Sequence, residues 1–231
     1  MQSALANVLS KYQPGFHPVI PFDPQVQHLA AVDLREDSTE VPASISSNPA
    51  AFREHMVELR RKKGADFLVG GYGELRGIYD SSAHFATTGE PRRLHLGVDI
   101  WAPAGTPVFA FAGGMVHSTA FNSAAGDYGA TLILLHQLEG IPFYTLYGHI
   151  SLADIRQISA GQYVSHGQEI AHFGEPEENG HWPPHLHFQV IADLGGREGD
   201  FPGVCRLSEK AGWLANCPDP ELILQWSGYL P

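Results

Sequence analysis

The chain has few basic residues, few cysteines and no long apolar run, and each shortage excludes a class of protein. Its 231 residues include 14 Lys and Arg against 25 Asp and Glu, so we expect no nucleic-acid partner. The two cysteines, Cys205 and Cys217, lack CxxC spacing, which argues against a cysteine-rich metal site; one disulfide and two free thiols both fit their spacing. No apolar stretch approaches the ~20 residues of a transmembrane helix, so we expect no membrane span.

The N-terminal stretch MQSALANVLSKYQPGF also lacks the marks of a secretory leader. It has no basic start, no long apolar core and no small-residue cleavage site. On the sequence as it stands we expect a cytoplasmic protein, or a periplasmic or extracellular one if a leader has been removed.

What the chain has in quantity is glycine and proline, with 25 and 17 residues. From Phe67 onward, short β-like apolar runs follow one another without long helices between them. This pattern predicts a mainly β fold, built on a folded antiparallel sheet or sandwich. The run GGYG at 70–73 lacks the spacing of a dinucleotide-binding loop and is predicted to be a turn. The glycine pair at 113–114 predicts a hairpin turn between two strands.

The residues before this β-rich part predict short helices instead. Ser3 is a suitable cap for one helix, and Asn48 followed by Pro49 opens another that ends in the basic run at 60–63. A further short helix is expected near the C-terminus. The chain is accordingly divided into an N-terminal helical and proline-rich segment, a β-rich domain and a C-terminal extension packed on that domain: 1–66, 67–192 and 193–231.

The stretch His185-Leu186-His187 carries the strongest chemical signal. Side chains alternate between the two faces of a strand, so residues two apart point the same way, with Cα atoms ~6.6 Å apart. Two imidazoles can therefore converge on one small volume. Spacing alone does not say which of the two would bind a metal and which would act beside it.

Two upstream clusters complete a possible site: His95 with Asp99, and the run YGH that ends at His149. Residues four apart on a straight strand are separated by ~13 Å, so the backbone must bend between His95 and Asp99 if both are to reach one metal ion. Gly97 permits that bend, which predicts His95 in a loop and Asp99 at the start of a strand.

Two imidazoles and one carboxylate form the ligand set of an open, catalytic zinc site, whose fourth position is left for water. We therefore predict one zinc ion per chain, bound by His95, Asp99 and one histidine of the 185/187 pair. Zinc lowers the pKa of its water toward ~7, so that the water becomes a nucleophile at neutral pH. Hydrolysis also needs groups that accept and donate protons, and the other histidine of the pair and His149 are the candidates.

The runs HLGVD, LYGH and PHLHF, in this order, resemble the signature of the lysostaphin-like zinc endopeptidases, the LytM-type peptidoglycan metallopeptidases. APAGTPVFAFAGGMV and GQYVSHGQEIAHFG resemble the strand pairs that frame the site in that family, and the resemblance covers the β-rich domain. It implies the family's folded antiparallel β-sheet and a zinc-dependent endopeptidase that cleaves peptide bonds in peptidoglycan stems or cross-bridges. It also implies that His95, Asp99 and His187 bind zinc, and that His149 and His185 are the catalytic histidines.

Some positions depart from the family pattern or extend it. Some family members carry a tyrosine shortly before the first metal histidine, whereas the nearest tyrosine here is Tyr79, so the group that stabilises the oxyanion is unassigned. Arg92 or Arg93 is a candidate, and the alternative is that both are solvated arginines beside a turn. Trp182, in the acidic loop before the histidine pair, is predicted either to line the groove or to pack beneath the loop. In some relatives an N-terminal segment covers the groove, and we hypothesise such a cover here.

Two other functions compete with a peptidase. A non-catalytic binding or regulatory module of the same fold usually lacks part of the metal set, which is complete in this sequence. A histidine phosphocarrier similar to the glucose-permease domain has a comparable sheet and paired active-site histidines. It needs no carboxylate ligand, so Asp99 argues against it.

Overall fold

One large sheet runs through the structure, a computed structural model that describes residues 3–78 and 89–230. The strands, in chain order, are β1 (Leu29–Val32), β2 (Phe67–Gly70), β3 (Leu94–His95), β4 (Val98–Trp101), β5 (Pro107–Phe109), β6 (Gly114–Asn122), β7 (Gly129–Leu138), β8 (Ile141–Ile150), β9 (Tyr163–Val164), β10 (Glu169–His172), β11 (His185–Ile191) and β12 (Val204–Cys205). The α-helices are α1 (Ala4–Tyr12), α2 (Ala43–Ser46), α3 (Pro49–Lys62), α4 (Leu152–Ile155), α5 (Lys210–Asn216) and α6 (Glu221–Leu224).

Eight strands form the large sheet, in the order β1-β2-β4-β11-β8-β7-β6-β9. Every neighbouring pair in it is antiparallel except β1 and β2, which are parallel. Two small ribbons pair β5 with β10 and β3 with β12. The prediction of a mainly β fold built on an antiparallel sheet is confirmed.

The middle of the large sheet brings the histidine-bearing segments together. Strand β11 has the sequence HLHFQVI and is buried along its whole length, as expected for a strand covered on both faces. It lies between β4 and β8, and the register places His187 opposite Asp99 on one side and opposite Gly148 on the other. Sheet register therefore decides which side chains meet.

The hairpin predicted at 113–114 is wrong. Strand β5, before the glycine pair, pairs with β10, while β6, after it, pairs with β7 and β9. The two glycines instead make room for neighbouring side chains. A Cβ on Gly114 would lie 2.7 Å from Nδ1 of His136, and one on Gly113 would lie 2.6 Å from the hydroxyl of Tyr163. Close approach explains both glycines.

The two predicted N-terminal helices begin at the predicted residues. The Ser3 hydroxyl accepts a hydrogen bond from the Ala6 N–H at 3.1 Å and caps α1. The Asn48 side-chain carbonyl accepts from the N–H groups of the second and third residues after it and caps α3. Helix α3 ends in its basic turn, followed by Gly64 at φ 60°. Local capping chemistry thus sets both helix starts.

The N-terminal segment contributes to the same apolar cores as the β-rich domain. Leu5 and Leu9 of α1 belong to the cluster that contains the central strands β4 and β11. Phe52 of α3 belongs to a second cluster with Leu68 of β2 and Trp101 of β4. Removing this segment would expose these core side chains to water.

Among the residues that the structure describes, no helix combines the length and apolarity needed to cross a membrane.

Candidate metal centre and active site

His95, Asp99 and His187 converge at one buried point. The Oδ1 atom of Asp99 lies 2.9 Å from Nδ1 of His187 and 3.4 Å from Nε2 of His95. The two inward nitrogens are 3.1 Å apart, and the three potential ligand atoms lie within 4.8 Å of one another. The structure thus offers two nitrogens and one carboxylate oxygen to one small volume, which is a suitable donor set for a divalent metal ion.

The secondary structure around His95 differs in one respect from the prediction. His95 was expected in a loop, but it ends the short strand β3, which pairs with β12. The backbone does bend between His95 and Asp99, and Gly97 lies in the bend. A Cβ on Gly97 would lie 2.7 Å from the ring of His187 and 2.8 Å from the carbonyl of Phe188. Glycine is therefore needed there because strand β11 approaches closely, and any side chain would displace a ligand.

The outer nitrogens of the two ligand histidines meet hydrogen-bond acceptors. Nδ1 of His95 lies 3.1 Å from the carbonyl of Gly71, and Nε2 of His187 lies 2.9 Å from the side-chain Oε1 of Gln189. The Tyr128 hydroxyl is a second, longer neighbour of Nε2 of His187, at 3.4 Å. Because the two closer partners, the carbonyl of Gly71 and Oε1 of Gln189, only accept, we assign the hydrogens to these outer nitrogens and the lone pairs to the inward ones. Together with Asp99 Oδ1, three acceptors then face one another, an arrangement that a bound cation stabilises. The residues present therefore fit a metal.

The carboxylate of Asp99 is also held from behind. Its second oxygen, Oδ2, accepts a hydrogen bond from Nη1 of Arg76 at 2.5 Å. Burial opposes ionisation of this carboxyl, but the neighbouring His95 and the Arg76 guanidinium outweigh burial and hold the pKa of Asp99 well below its usual range. Asp99 is therefore ionised at neutral pH, as a metal ligand must be.

His149 and His185 form a second pair beside the metal ligands. Their rings are 4.1 Å apart between centroids and inclined by 30°. Nε2 of His185 lies 4.0 Å from Asp99 Oδ1. Nδ1 of His149 lies 2.8 Å from the carbonyl of Asn179, and Nδ1 of His185 lies 2.7 Å from the carbonyl of Pro183. Both Nδ1 atoms therefore donate, and both Nε2 atoms keep lone pairs.

Burial keeps these imidazoles neutral at pH 7. It lowers the pKa of His185 to about 4 and the pKa of His149 well below its usual value, where the neighbouring His185 lowers it further. Burial and the charge of Arg76 also lower the pKa of His95 to about 4. A neutral imidazole can bind a metal ion or accept a proton, so the site is prepared for both.

His149 also has an unusual backbone. Its φ of 63° is in the left-handed region, which few residues other than glycine adopt. Two backbone hydrogen bonds of 2.9 Å hold it there, from its N–H to the carbonyl of Tyr128 and from the Gly174 N–H to its own carbonyl. Such strain persists only where the surroundings enforce it, and it directs the imidazole into the cavity.

A pocket opens above these side chains. Arg92, Tyr128 and Trp182 line it together with the five histidine and aspartate residues already described. Trp182 also packs edge-on against Phe52 of α3, with ring centroids 6.4 Å apart, so the N-terminal segment forms part of the wall. Arg93 instead pairs with an exposed glutamate. Tyr79 lies outside the described residues.

The sequence reasoning missed the groups that orient the ligands. Gln189 had a usable signal, because it lies two residues beyond His187 on the same strand and therefore shares its face. Arg76 had none, since its partner Asp99 is distant in sequence. The carbonyls of Gly71, Asn179 and Pro183 had none either, since every residue has a carbonyl group.

The two cysteines carry no metal chemistry here. Cys205 and Cys217 are buried free thiols, so of the two alternatives left open by the sequence the structure has the thiols. The Sγ of Cys217 accepts a hydrogen bond from Nε2 of Gln189 at 3.3 Å. It thereby helps to fix the amide whose oxygen faces His187.

The part of the chain that contains the site is similar to known proteins. The family model described as Peptidase family M23 matches residues 93–198, which include all five histidine and aspartate residues of the site. An L-Ala--D-Glu endopeptidase of Bacillus subtilis is 31% identical over 115 residues, which cover 48% of this chain and 33% of that protein. The peptidoglycan DD-endopeptidase ShyA of Vibrio cholerae is 32% identical over 121 residues, which cover 48% of this chain and 26% of that protein. The match therefore spans a third or less of these relatives.

Among solved structures, lysostaphin from Staphylococcus simulans is 24% identical at a TM-score of 0.42, and the match covers 69% of this chain and 50% of that one.

Proposed function

Since residues 93–198 form a domain of peptidase family M23, we propose that this protein is a zinc-dependent endopeptidase that hydrolyses peptide bonds in peptidoglycan. The family match confirms the resemblance inferred from the sequence. It also confirms the prediction of a metallopeptidase, at the level of the family. The observation that carries the proposal is the convergence of three ligand atoms within 4.8 Å of one another, beside two further neutral imidazoles.

His95, Asp99 and His187 would hold the zinc ion through Nε2, Oδ1 and Nδ1. Two imidazoles and one carboxylate suit zinc, and three protein ligands leave a position open for substrate or water. A bound zinc ion supplies Lewis acidity toward the scissile carbonyl and the attacking water. The protein supplies the geometry, because strand register and hydrogen bonds on the outer ligand atoms fix all three side chains before the ion arrives.

His149 and His185 would move the protons. Each is neutral and directs the lone pair of Nε2 into the cavity, so either can accept a proton from the water that attacks the carbonyl carbon. The imidazolium formed in this step can then donate its proton to the amine that leaves when the C–N bond breaks. Their Nδ1–H groups remain bonded to the carbonyls of Asn179 and Pro183, which keeps the rings oriented during both transfers.

The proposed substrate rests on the relatives. One relative is named as an L-Ala--D-Glu endopeptidase and another as a peptidoglycan DD-endopeptidase. Both names describe peptide cleavage, and peptidoglycan stems and cross-bridges are the shared target that we propose for this chain.

Digestion of purified peptidoglycan and of oligoglycine peptides by the zinc-loaded chain tests the proposal. We expect release of peptide fragments, identified by mass spectrometry, and no release when a chelator is present. Re-addition of zinc should restore the digestion. A folded chain that binds zinc yet releases no fragment from either substrate would contradict the proposed activity and favour the non-catalytic alternative.

A further inference from the structure

A charged side chain outside the segment that matches the family model contacts one of the candidate ligands. Arg76 follows β2 and is the largest fully buried side chain among the described residues. Its Nη1 donates to Asp99 Oδ2 at 2.5 Å. A buried arginine requires strong compensating interactions, because removing its charge from water is costly. Its position must therefore be enforced by partners around it.

Those partners connect Arg76 to a second metal ligand. Its Nε donates to Oε2 of Glu74 at 2.9 Å, and its Nη2 donates to the carbonyl of Gly71 at 3.3 Å. The same Gly71 carbonyl accepts the Nδ1–H of His95 at 3.1 Å. One guanidinium is thus bonded directly to one ligand and shares an acceptor with another.

The arrangement divides the two oxygens of Asp99. Oδ2 is held by Arg76, while Oδ1 faces the two ligand nitrogens. A carboxylate that is free to rotate could offer either oxygen, or both, to a metal. Here one oxygen is engaged by a charge-assisted hydrogen bond, so the carboxylate presents a single, fixed donor atom.

We propose that Arg76 is a positioning residue, which holds Asp99 as a one-oxygen ligand and thereby sets the metal affinity of the site. This inference rests on the proposed zinc function. Gly70, the last residue of β2, leaves room for the guanidinium, since a Cβ there would lie 2.6 Å from the Trp101 ring and 2.9 Å from the Arg76 Nη2.

The experiment compares Arg76→Met and Arg76→Lys with wild type in the full chain. The zinc dissociation constant is measured by competition with a chromogenic chelator, and folding by thermal unfolding in the presence of a chelator. Groups that orient metal ligands typically contribute about 10- to 100-fold to affinity, so we expect a loss of that size for Arg76→Met. Arg76→Lys keeps the positive charge but lacks the planar guanidinium group. Its zinc affinity should therefore fall between those of wild type and Arg76→Met.

Arg61→Met is the matched control. Arg61 is exposed on α3, where its guanidinium pairs with the neighbouring Glu58, so its loss should leave the zinc dissociation constant unchanged. At saturating zinc, kcat of Arg76→Lys should return to within about threefold of wild type, because Arg76 acts through metal occupancy. A purely structural role would lower the unfolding temperature and leave zinc affinity unchanged.

A folded Arg76 variant that binds zinc as tightly as wild type would overturn the proposal. If Arg76→Met does not fold, Arg76→Lys decides alone. Zinc binding is measured without substrate, so a chain that binds zinc but hydrolyses no peptide refutes the proposed enzyme while the Arg76 comparison still stands. A wild-type chain that binds no zinc would overturn both.

Discussion

The three candidate metal ligands and the neighbouring pair His149 and His185 share one cavity, but the protein supports them differently. Asp99 and His187 lie on adjacent strands in register, and side chains hold their outer atoms: Arg76 behind one and Gln189 behind the other. The third candidate ligand, His95, lies on β3 and is held by the carbonyl of Gly71. His149 and His185 are oriented by backbone carbonyls on the segment that joins β10 to β11.

This difference separates two properties of the site. Two of the three candidate metal donors, Asp99 and His187, depend on the central sheet, where a shift of register would disrupt the whole core. The orientation of His149 and His185, the proposed proton-transfer pair, depends on a connecting segment, and such segments can change without unfolding the sheet. Substitutions should therefore be able to remove catalysis and leave metal binding intact, whereas the reverse should not occur.

Loss of a ligand should have the largest effect, because it removes both properties together. We expect His187→Ala to reduce zinc binding below detection and activity to that of chelator-treated wild type. Metal content of the purified protein and peptide release measure the two effects. His166→Ala, an exposed histidine bonded to the carbonyl of Gly15, is the control. One zinc ion per chain in folded His187→Ala would show that His187 is not a zinc ligand.

Loss of one proton-transfer histidine should separate the two properties. For His149→Ala we expect kcat/KM to fall by about 10²- to 10⁴-fold, the usual contribution of a general acid–base group. Zinc affinity should stay within about twofold of wild type, because the Nε2 of His149 is not one of the three clustered ligand atoms. Zinc lost from a folded variant would instead place His149 among the ligands.

The residues of the candidate site could be predicted from the sequence, but the groups that orient them could not. The alternation of strand residues predicts that His185 and His187 share a face, and the need for a bend singles out Gly97. The roles that the resemblance gives to these residues stay predictions, although the geometry places Nδ1 of His187, and not His185, among the three clustered atoms.

The supports depend on which segments become neighbours. Arg76 meets Asp99 because the segment after β2 packs against β3 and the residues before it, with the Arg76 N–H bonded to the carbonyl of Arg93 at 3.0 Å. No local sequence pattern predicts a contact between segments so far apart in the chain. The error at 113–114 has a related cause. Glycine is required both in tight turns and where another chain segment approaches closely, and the sequence alone does not distinguish the two.

A substitution of Gln189 tests whether side-chain hydrogen bonds position the candidate ligand His187. Its Nε2 donates to the carbonyl of Pro202 and to Cys217, which turns Oε1 toward His187. In Gln189→Leu the ring of His187 loses the acceptor that fixes its tautomer, so we expect about 10- to 100-fold weaker zinc binding. Competition with a chromogenic chelator measures the zinc dissociation constant. Gln137→Leu, on an exposed position of β7, should change nothing.

Unchanged zinc affinity in folded Gln189→Leu would mean that strand register alone positions His187. The side-chain supports would then matter less than the sheet for this ligand.

Asn179 is the corresponding amide on the proton-transfer side, and its loss should have the smallest effect. Its Nδ2 donates to the carbonyls of Gly174 and Trp182 at 3.3 and 3.2 Å, which braces the segment whose carbonyl orients His149. Asn179→Ala keeps the backbone acceptor but loosens its position. We expect kcat to fall by about three- to tenfold, the effect of one or two weakened hydrogen bonds, with zinc affinity unchanged. Zinc affinity that falls as far as in Gln189→Leu would show that both histidine groups depend on one shared support.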